Sequence, residues 1–159
     1  MIFQIFDLDN CISDDSERMH LIDMSLDGDY RYEKYHKDCH KDKAKNLKFI
    51  NKDYKTAIFT ARPEYLREKT LLWLEKVAKI DVFALYMRPI NSPHSKLKSP
   101  QLKKIFLEQL MTKHDLVVRD IVCAYDDRLD VVAMYREMEV ESKALAIRKQ
   151  FITRERDPK

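Results

Sequence analysis

From residue 54 onward, short apolar runs alternate with amphipathic stretches, and this alternation leaves the chain few folds to choose from. Residues 2–6, 54–60, 82–87 and 121–125 are nearly uniformly apolar, the pattern of strands buried on both faces. Pro63 opens a helix expected over 64–77, with Leu66, Thr70, Trp73, Leu74 and Val77 along one face. Ser99 as N-cap and Pro100 at the first helical position open a second helix, striped by Leu102, Ile105, Phe106, Leu107 and Leu110. A third helix is expected over 130–138 and a short fifth strand over 144–147. Strands alternating with helices predict a doubly wound α/β domain with a mainly parallel sheet.

Residues 11–50 break the alternation. They are polar, carry Tyr30, Tyr32 and Tyr35 among charges, and read as helical near 32–49. The stretch is expected to be a small cap between the first two strands, or a helical decoration packed on the sheet. The tyrosines suit base stacking or packing of the cap on the body, and Trp73 reads as core. His36, Cys39 and His40 have donor atoms at helical spacing, but no second ligand pair accompanies them.

The chain has 159 residues and a single glycine, Gly28. Glycine-rich phosphate loops need several glycines for close backbone approach, so Walker and Rossmann sites are excluded. Tight turns must then use Asn and Asp. Net charge is +3, too weak to indicate nucleic acid by itself. Basic residues cluster at Lys41, Lys43, Lys45 and Lys48, at Lys96, Lys98, Lys103 and Lys104, and at Arg148, Lys149, Arg154 and Arg156. Such clusters are solvated faces or anion-binding patches. No run approaches the ~20 apolar residues of a membrane span, and the acids at Asp7 and Asp9 argue against a signal peptide. The odd set Cys11, Cys39 and Cys123 has no framework spacing. Reduced thiols and a cytoplasmic setting are expected.

Three of the expected strands end in polar groups: Asp7 and Asp9, then Thr60, then Asp126 and Asp127. Ligands of open α/β sheets bind beyond the carboxyl ends of the strands. Carboxylates crowded on one rim repel each other unless a cation neutralises them, and an all-oxygen site suits Mg²⁺. One carboxylate can attack phosphorus and a second can move the proton. A lysine and a hydroxyl can hold the phosphoryl oxygens.

In these motifs the chain resembles the haloacid dehalogenase (HAD) phosphatase superfamily. Phe6-Asp7-Leu8-Asp9 matches its first motif, Thr60 its second, a lysine near a helix start its third, and Asp126-Asp127 its fourth. The chain is most similar to one branch, the phosphatase half of bacteriophage polynucleotide kinase-phosphatases. Arg18, Thr60-Ala61-Arg62, Met87-Arg88-Pro89 and the run Asp126-Asp127-Arg128, Val131-Val132, Met134-Tyr135-Arg136 carry that likeness from residue 2 to about residue 147.

The resemblance implies a five-stranded sheet in the order 3-2-1-4-5 with a small helical cap insertion, all within one domain over 1–159. It implies hydrolysis of a phosphomonoester through an aspartyl-phosphate, with Mg²⁺ as cofactor. Asp7 would be nucleophile and metal ligand. Asp9 would be general acid/base and would ligate the metal through its carbonyl. Asp126 and Asp127 would complete the metal site. Thr60 and Lys103 would bind the phosphoryl oxygens, and Arg18, Arg62 and Arg88 would hold substrate phosphate or order the site. The implied substrate is a 3′-phosphate on a nucleic-acid end, with a nucleoside monophosphate as the alternative. Two features depart from the branch: Asn10-Cys11 stands where it has Gly-Thr, and Ser99 replaces an acid, which leaves Lys96 and Lys98 as rivals of Lys103.

Overall fold

The structure, a computed structural model, describes residues 1–146. Five strands form one parallel sheet: β1 (Phe3–Phe6), β4 (Lys55–Pro63), β5 (Val82–Arg88), β6 (Ile121–Asp126) and β7 (Ser142–Ala144). Their spatial order is β5-β4-β1-β6-β7, the expected 3-2-1-4-5. The two remaining strands, β2 (Ser13–Asp14) and β3 (Lys43–Ala44), pair antiparallel as a separate ribbon. The helices are α1 (Gly28–Lys37), α2 (Arg67–Trp73), α3 (Ser99–His114) and α4 (Leu129–Glu137).

Side chains alternate across β1, so both faces of the sheet are covered. Phe3 and Ile5 join Phe59, Leu102, Phe106, Leu107, Val131 and Tyr135 in the core under α3 and α4. Phe6 joins Ile58, Trp73, Leu74 and Ala78 on the opposite face, under α2. Gln4 is buried yet satisfied: it donates to the Asn51 carbonyl (2.7 Å) and to Thr56 Oγ1 (2.9 Å), and accepts from the Asn51 N–H (3.0 Å).

Trp73 is buried and donates from Nε1 to the Asp42 carbonyl at 2.8 Å. It ties the 11–50 insertion to α2. Trp73→Ala is expected to cost about 3–5 kcal/mol, read as a lowered urea midpoint with an unchanged slope.

The elements differ from their sequence reading in four places. The helix after β4 starts as a 3-10 turn over Glu64–Leu66 and ends in a π-turn over Leu74–Ala78. A π-turn inserts a residue into the helical register, so Ala78 faces the core and Val77 is 44% exposed. Lys98, not Ser99, is the N-cap of α3, and no side chain caps that end. The helix expected over 32–49 stops at Lys37. A continuing helix would use the Asp42 carbonyl internally, whereas here Trp73 takes it, while the Asp42 carboxylate turns to Arg18. The last strand is Ser142–Ala144, two residues earlier than expected; Ile147 and the basic group Arg148, Lys149, Arg154 and Arg156 lie outside the described residues.

Asn10, Asn46, Asn91 and Asp115 take left-handed backbone conformations, as the scarcity of glycine predicts. Lys79, Glu139 and Ala146 take them too, so Asn and Asp are not the only turn formers.

Candidate active site

β1, β4 and β6 are neighbours and run parallel, so their carboxyl ends open on one rim. Asp7 follows the last residue of β1, Thr60 lies toward the end of β4, and Asp126 closes β6 with Asp127 next. The turn after β1 folds back because Asn10 adopts φ 61° and the Cys11, Ile12 and Ser13 N–H groups all donate to the Leu8 carbonyl. Its geometry needs neither the glycine nor the hydroxyl of the similar branch. Asn10 Nδ2 instead donates to Asp127 Oδ2 at 3.1 Å, and the Cys11 thiol is buried against the Tyr125 carbonyl.

Lys103 lies in the second turn of α3. Helical side chains lean toward the helix N-terminus, which carries its ammonium back over the strand ends. Nζ donates to Asp7 Oδ1 at 2.7 Å and to Asp126 Oδ2 at 2.5 Å, and the residue is 1% exposed. Lys96 and Lys98 are exposed. Oxygens of Asp7, Asp126 and Asp127 lie within 4.8 Å of one another. Among the described residues this is the one group of three or more His, Cys, Asp or Glu side chains so arranged. His36, Cys39 and His40 do not form another: Cys39 is buried and His40 exposed.

The electrostatics are uneven. Burial pushes the Asp7 carboxyl above its ordinary range against the pull of Lys103, and Asp126 and Asp127 push the same way. Burial and the neighbouring Asp126 bring Asp127 up to about 7. Burial works against the Lys103 ammonium, but Asp126 and Asp7 outweigh it and hold the group above the usual lysine range. Lys103 thus pairs with two carboxyl groups, those of Asp7 and Asp126, and Asp127 stands beside them.

Asp9 sits in a different environment. Burial pushes its carboxyl up, yet Arg62 and then Arg18 overcome that and hold it below the carboxylate range. Arg62 is fully buried and meets Asp9 through Nη2 (2.7 Å) and Nε (3.1 Å). It also reaches Ser13 Oγ (3.2 Å), Thr70 Oγ1 (3.4 Å) and, as a longer ion pair, Asp42 Oδ2 (3.7 Å). Arg18 donates to Asp9 Oδ1 (2.8 Å), to both oxygens of Asp42 (2.6 Å each) and to the Tyr35 carbonyl (2.5 Å), with its guanidinium 4.3 Å over the Tyr35 ring. Both arginines therefore orient Asp9. Asp42, which Ser13 also contacts, is a residue the sequence reading passed over; an acid in the charged run 37–45 carries no local mark of this role.

Arg88 ends β5 and, among the described residues, bonds main-chain carbonyls alone: Ala61 (3.3 Å), Ser95 (3.0 Å) and Leu97 (2.6 Å). Thr60 is 1% exposed, and its Oγ1 accepts the Arg62 N–H at 3.1 Å. Asp130 pairs with Arg128 at 2.8 Å at the start of α4. Tyr30 is exposed, while Tyr35 is buried with its hydroxyl on Asp15.

No protein-family model matches the sequence, and no curated protein does. Solved structures do match. A haloacid dehalogenase-like family hydrolase from Streptococcus pneumoniae superposes with a TM-score of 0.64 at 12% identity, over 98% of this chain and 91% of that one. A predicted HAD-like family hydrolase from Porphyromonas gingivalis follows at 0.51 and 13%, over 100% and 99%. The fold is HAD-like. A chain of the Pnkp1/Rnl/Hen1 RNA repair complex is also similar, with a TM-score of 0.63 and 23% identity over 92% of this chain. Only 42% of that longer chain is covered, so this HAD-like chain spans less than half of it. Among the described residues, no helix is long and apolar enough to cross a membrane.

Proposed function

We propose that this protein is a magnesium-dependent phosphomonoester hydrolase that forms an aspartyl-phosphate on Asp7 and acts on 3′-phosphorylated nucleic-acid ends. The observation that carries the reading is the buried contact of Lys103 with Asp7 and Asp126 beside Asp127. One lysine leaves that cluster short of positive charge, and its hard oxygen donors fit Mg²⁺. Asp7, Asp126 and Asp127 would hold the ion with the Asp9 main-chain carbonyl. Bound there, it would neutralise charge on the phosphoryl group.

In the first step an Asp7 oxygen attacks phosphorus, the bond to the leaving oxygen breaks, and Asp9 supplies that oxygen with a proton. In the second step Asp9 takes a proton from water, the water oxygen attacks phosphorus, and the Asp7 carboxylate is released with inorganic phosphate. Lys103 and Thr60 hold the phosphoryl oxygens. Arg18 and Arg62 keep Asp9 ionised, the form the second step needs; a dianionic phosphoryl group beside Asp9 favours its protonation for the first. Arg88 has no carboxylate within ion-pair distance among the described residues, which suits it to a substrate phosphate.

The likeness to a chain of an RNA repair complex, and to phage end-healing phosphatases, supports a nucleic-acid end as substrate. A nucleoside monophosphate is the second reading, and charge favours it. Residues 147–159 hold five basic and two acidic side chains, so the whole net charge of +3 resides there and residues 1–146 balance.

The test is phosphate release with and without Mg²⁺ from a 3′-phosphorylated oligonucleotide, beside 3′- and 5′-mononucleotides. The expected result is Mg²⁺-dependent release from the oligonucleotide that falls steeply as salt rises, because phosphate contacts release counterions. Release from mononucleotides alone, insensitive to salt, selects the second reading. No release from any of them removes the phosphatase reading.

A further inference from the structure

Lys45 and Asn46, which follow β3 in the insertion, are bonded to the turn after β1. The Lys45 N–H donates to the Ile12 carbonyl at 2.9 Å. Asn46, left-handed at φ 57°, donates from Nδ2 to the Cys11 carbonyl at 2.7 Å. The Lys45 side chain reaches the start of the same turn, where Nζ donates to Asn10 Oδ1 at 2.6 Å. Lys45 is half-buried and Asn10 is buried.

The Asn10 amide has one orientation that suits all these neighbours. An ammonium only donates, while a carbonyl or carboxylate oxygen only accepts. Oδ1 therefore faces Lys45, and Nδ2 faces Asp127 Oδ2 at 3.1 Å and the Ala146 carbonyl at 2.6 Å. The three clustered carboxylates are not held alike. Lys103 holds Asp7 and Asp126, and the Arg128 N–H donates to Asp126 Oδ1 at 3.0 Å. Among the described residues Asp127 receives one hydrogen bond, that from Asn10. A carboxylate that binds a cation is oriented by such a partner.

We propose that Asn10 and Lys45 are positioning residues for the Mg²⁺ site: Lys45 fixes the Asn10 amide, and the amide holds Asp127 where it joins Asp7 and Asp126. The inference rests on the metal-dependent reading above and deepens it, because it makes the insertion part of the metal site. Neither residue touches substrate or transfers a proton.

The test titrates Mg²⁺ alone into the metal-free protein and reads Kd by calorimetry. Asn10→Gly keeps the left-handed turn, which glycine adopts freely, and removes the amide. Its Kd should rise by at least about tenfold, the lower end for losing a partner of this kind. Lys45→Met loses donor and charge together, whereas Lys45→Gln loses the charge and keeps an N–H donor. Comparing the two cancels the effect of a cation near Mg²⁺. Lys45→Met should bind Mg²⁺ about fivefold more weakly than Lys45→Gln, the scale of one hydrogen bond. In the Asn10→Gly background that difference should vanish, because the amide that relays it is gone. A purely structural role would lower the Tm of the variants and leave every Kd unmoved, which overturns the proposal while the phosphatase reading stands. A difference between the Lys45 variants that survives in the Asn10→Gly background overturns the relay through Asn10. If Asn10→Gly does not fold, the two Lys45 variants decide the case, and equal Kd values for them overturn the proposal. A wild type that binds no Mg²⁺ removes the metal-dependent reading and this inference with it.

Discussion

Asp7→Asn is expected to abolish phosphate release, by at least ~10³-fold in kcat, because an amide of the same shape is no nucleophile. The same substitution should not unfold the protein. Burial and the neighbouring carboxylates raise the Asp7 proton affinity in the folded state. A folded value above the unfolded one means that stability linked to Asp7 is present at low pH and is lost as pH rises through the folded value. At neutral pH the charge of Asp7 therefore opposes folding, and the uncharged amide relieves it. Thermal unfolding without Mg²⁺ should show Asp7→Asn at least as stable as wild type, and Mg²⁺ should raise its Tm by less. A variant that keeps more than a few per cent of wild-type kcat would rule out Asp7 as nucleophile.

Lys103→Met is expected to have the largest effect on stability. The methionine chain fills the space of the lysine stem but leaves Asp7 and Asp126 buried without their cation. Removing one partner of a buried pair costs about 3–5 kcal/mol. In a chain of this size each kcal/mol shifts Tm by about 2–4 °C. Lys103 binds its proton more tightly folded than unfolded, so its stabilisation is present below the ordinary lysine value of about 10.4 and fades above it. The gap between wild type and variant should therefore persist across neutral pH and narrow only in strong alkali. Mg²⁺ should restore more Tm to the variant than to wild type, because the freed carboxylates then have the ion alone to neutralise them. Calorimetric scans of both proteins, with and without Mg²⁺, measure this; equal Tm values without Mg²⁺ would show that the contact contributes nothing. Loss of the ammonium should also lower kcat by ~10²–10³-fold, the scale for removing one preorganised charge from a phosphoryl site.

Much of this architecture was legible in the chain because its signals are local. The strand at Phe3–Phe6 and its neighbours read as buried from composition alone, since a parallel strand covered on both faces is apolar throughout. Asp7, Thr60 and Asp126 then follow from the rule that the carboxyl ends of such strands share one rim. Val77 and Ala78 exchanged places because a π-turn is a response to packing, with no mark in the periodicity that precedes it. Within the insertion, helix was expected near 32–49, whereas it ends at Lys37 and the Asp42 carbonyl and carboxylate go to Trp73 and Arg18 instead, partners far away in sequence.

Sequence order alone determined the fold class and the carboxylates at the strand ends, since these depend on short-range patterns repeated along the chain, while the strand order was implied by the family resemblance and the structure agrees with it. Only the tertiary structure put Lys103, rather than Lys96 or Lys98, against Asp7 and Asp126, because that contact depends on which turn of α3 overhangs β1 and β6. Only it set Arg18 and Arg62 around Asp9 and put Arg88 on main-chain carbonyls, since those pairings span residues far apart in the chain. Charge neutralisation and hydrogen bonding act over a few ångströms in space, and that distance is fixed when the elements pack.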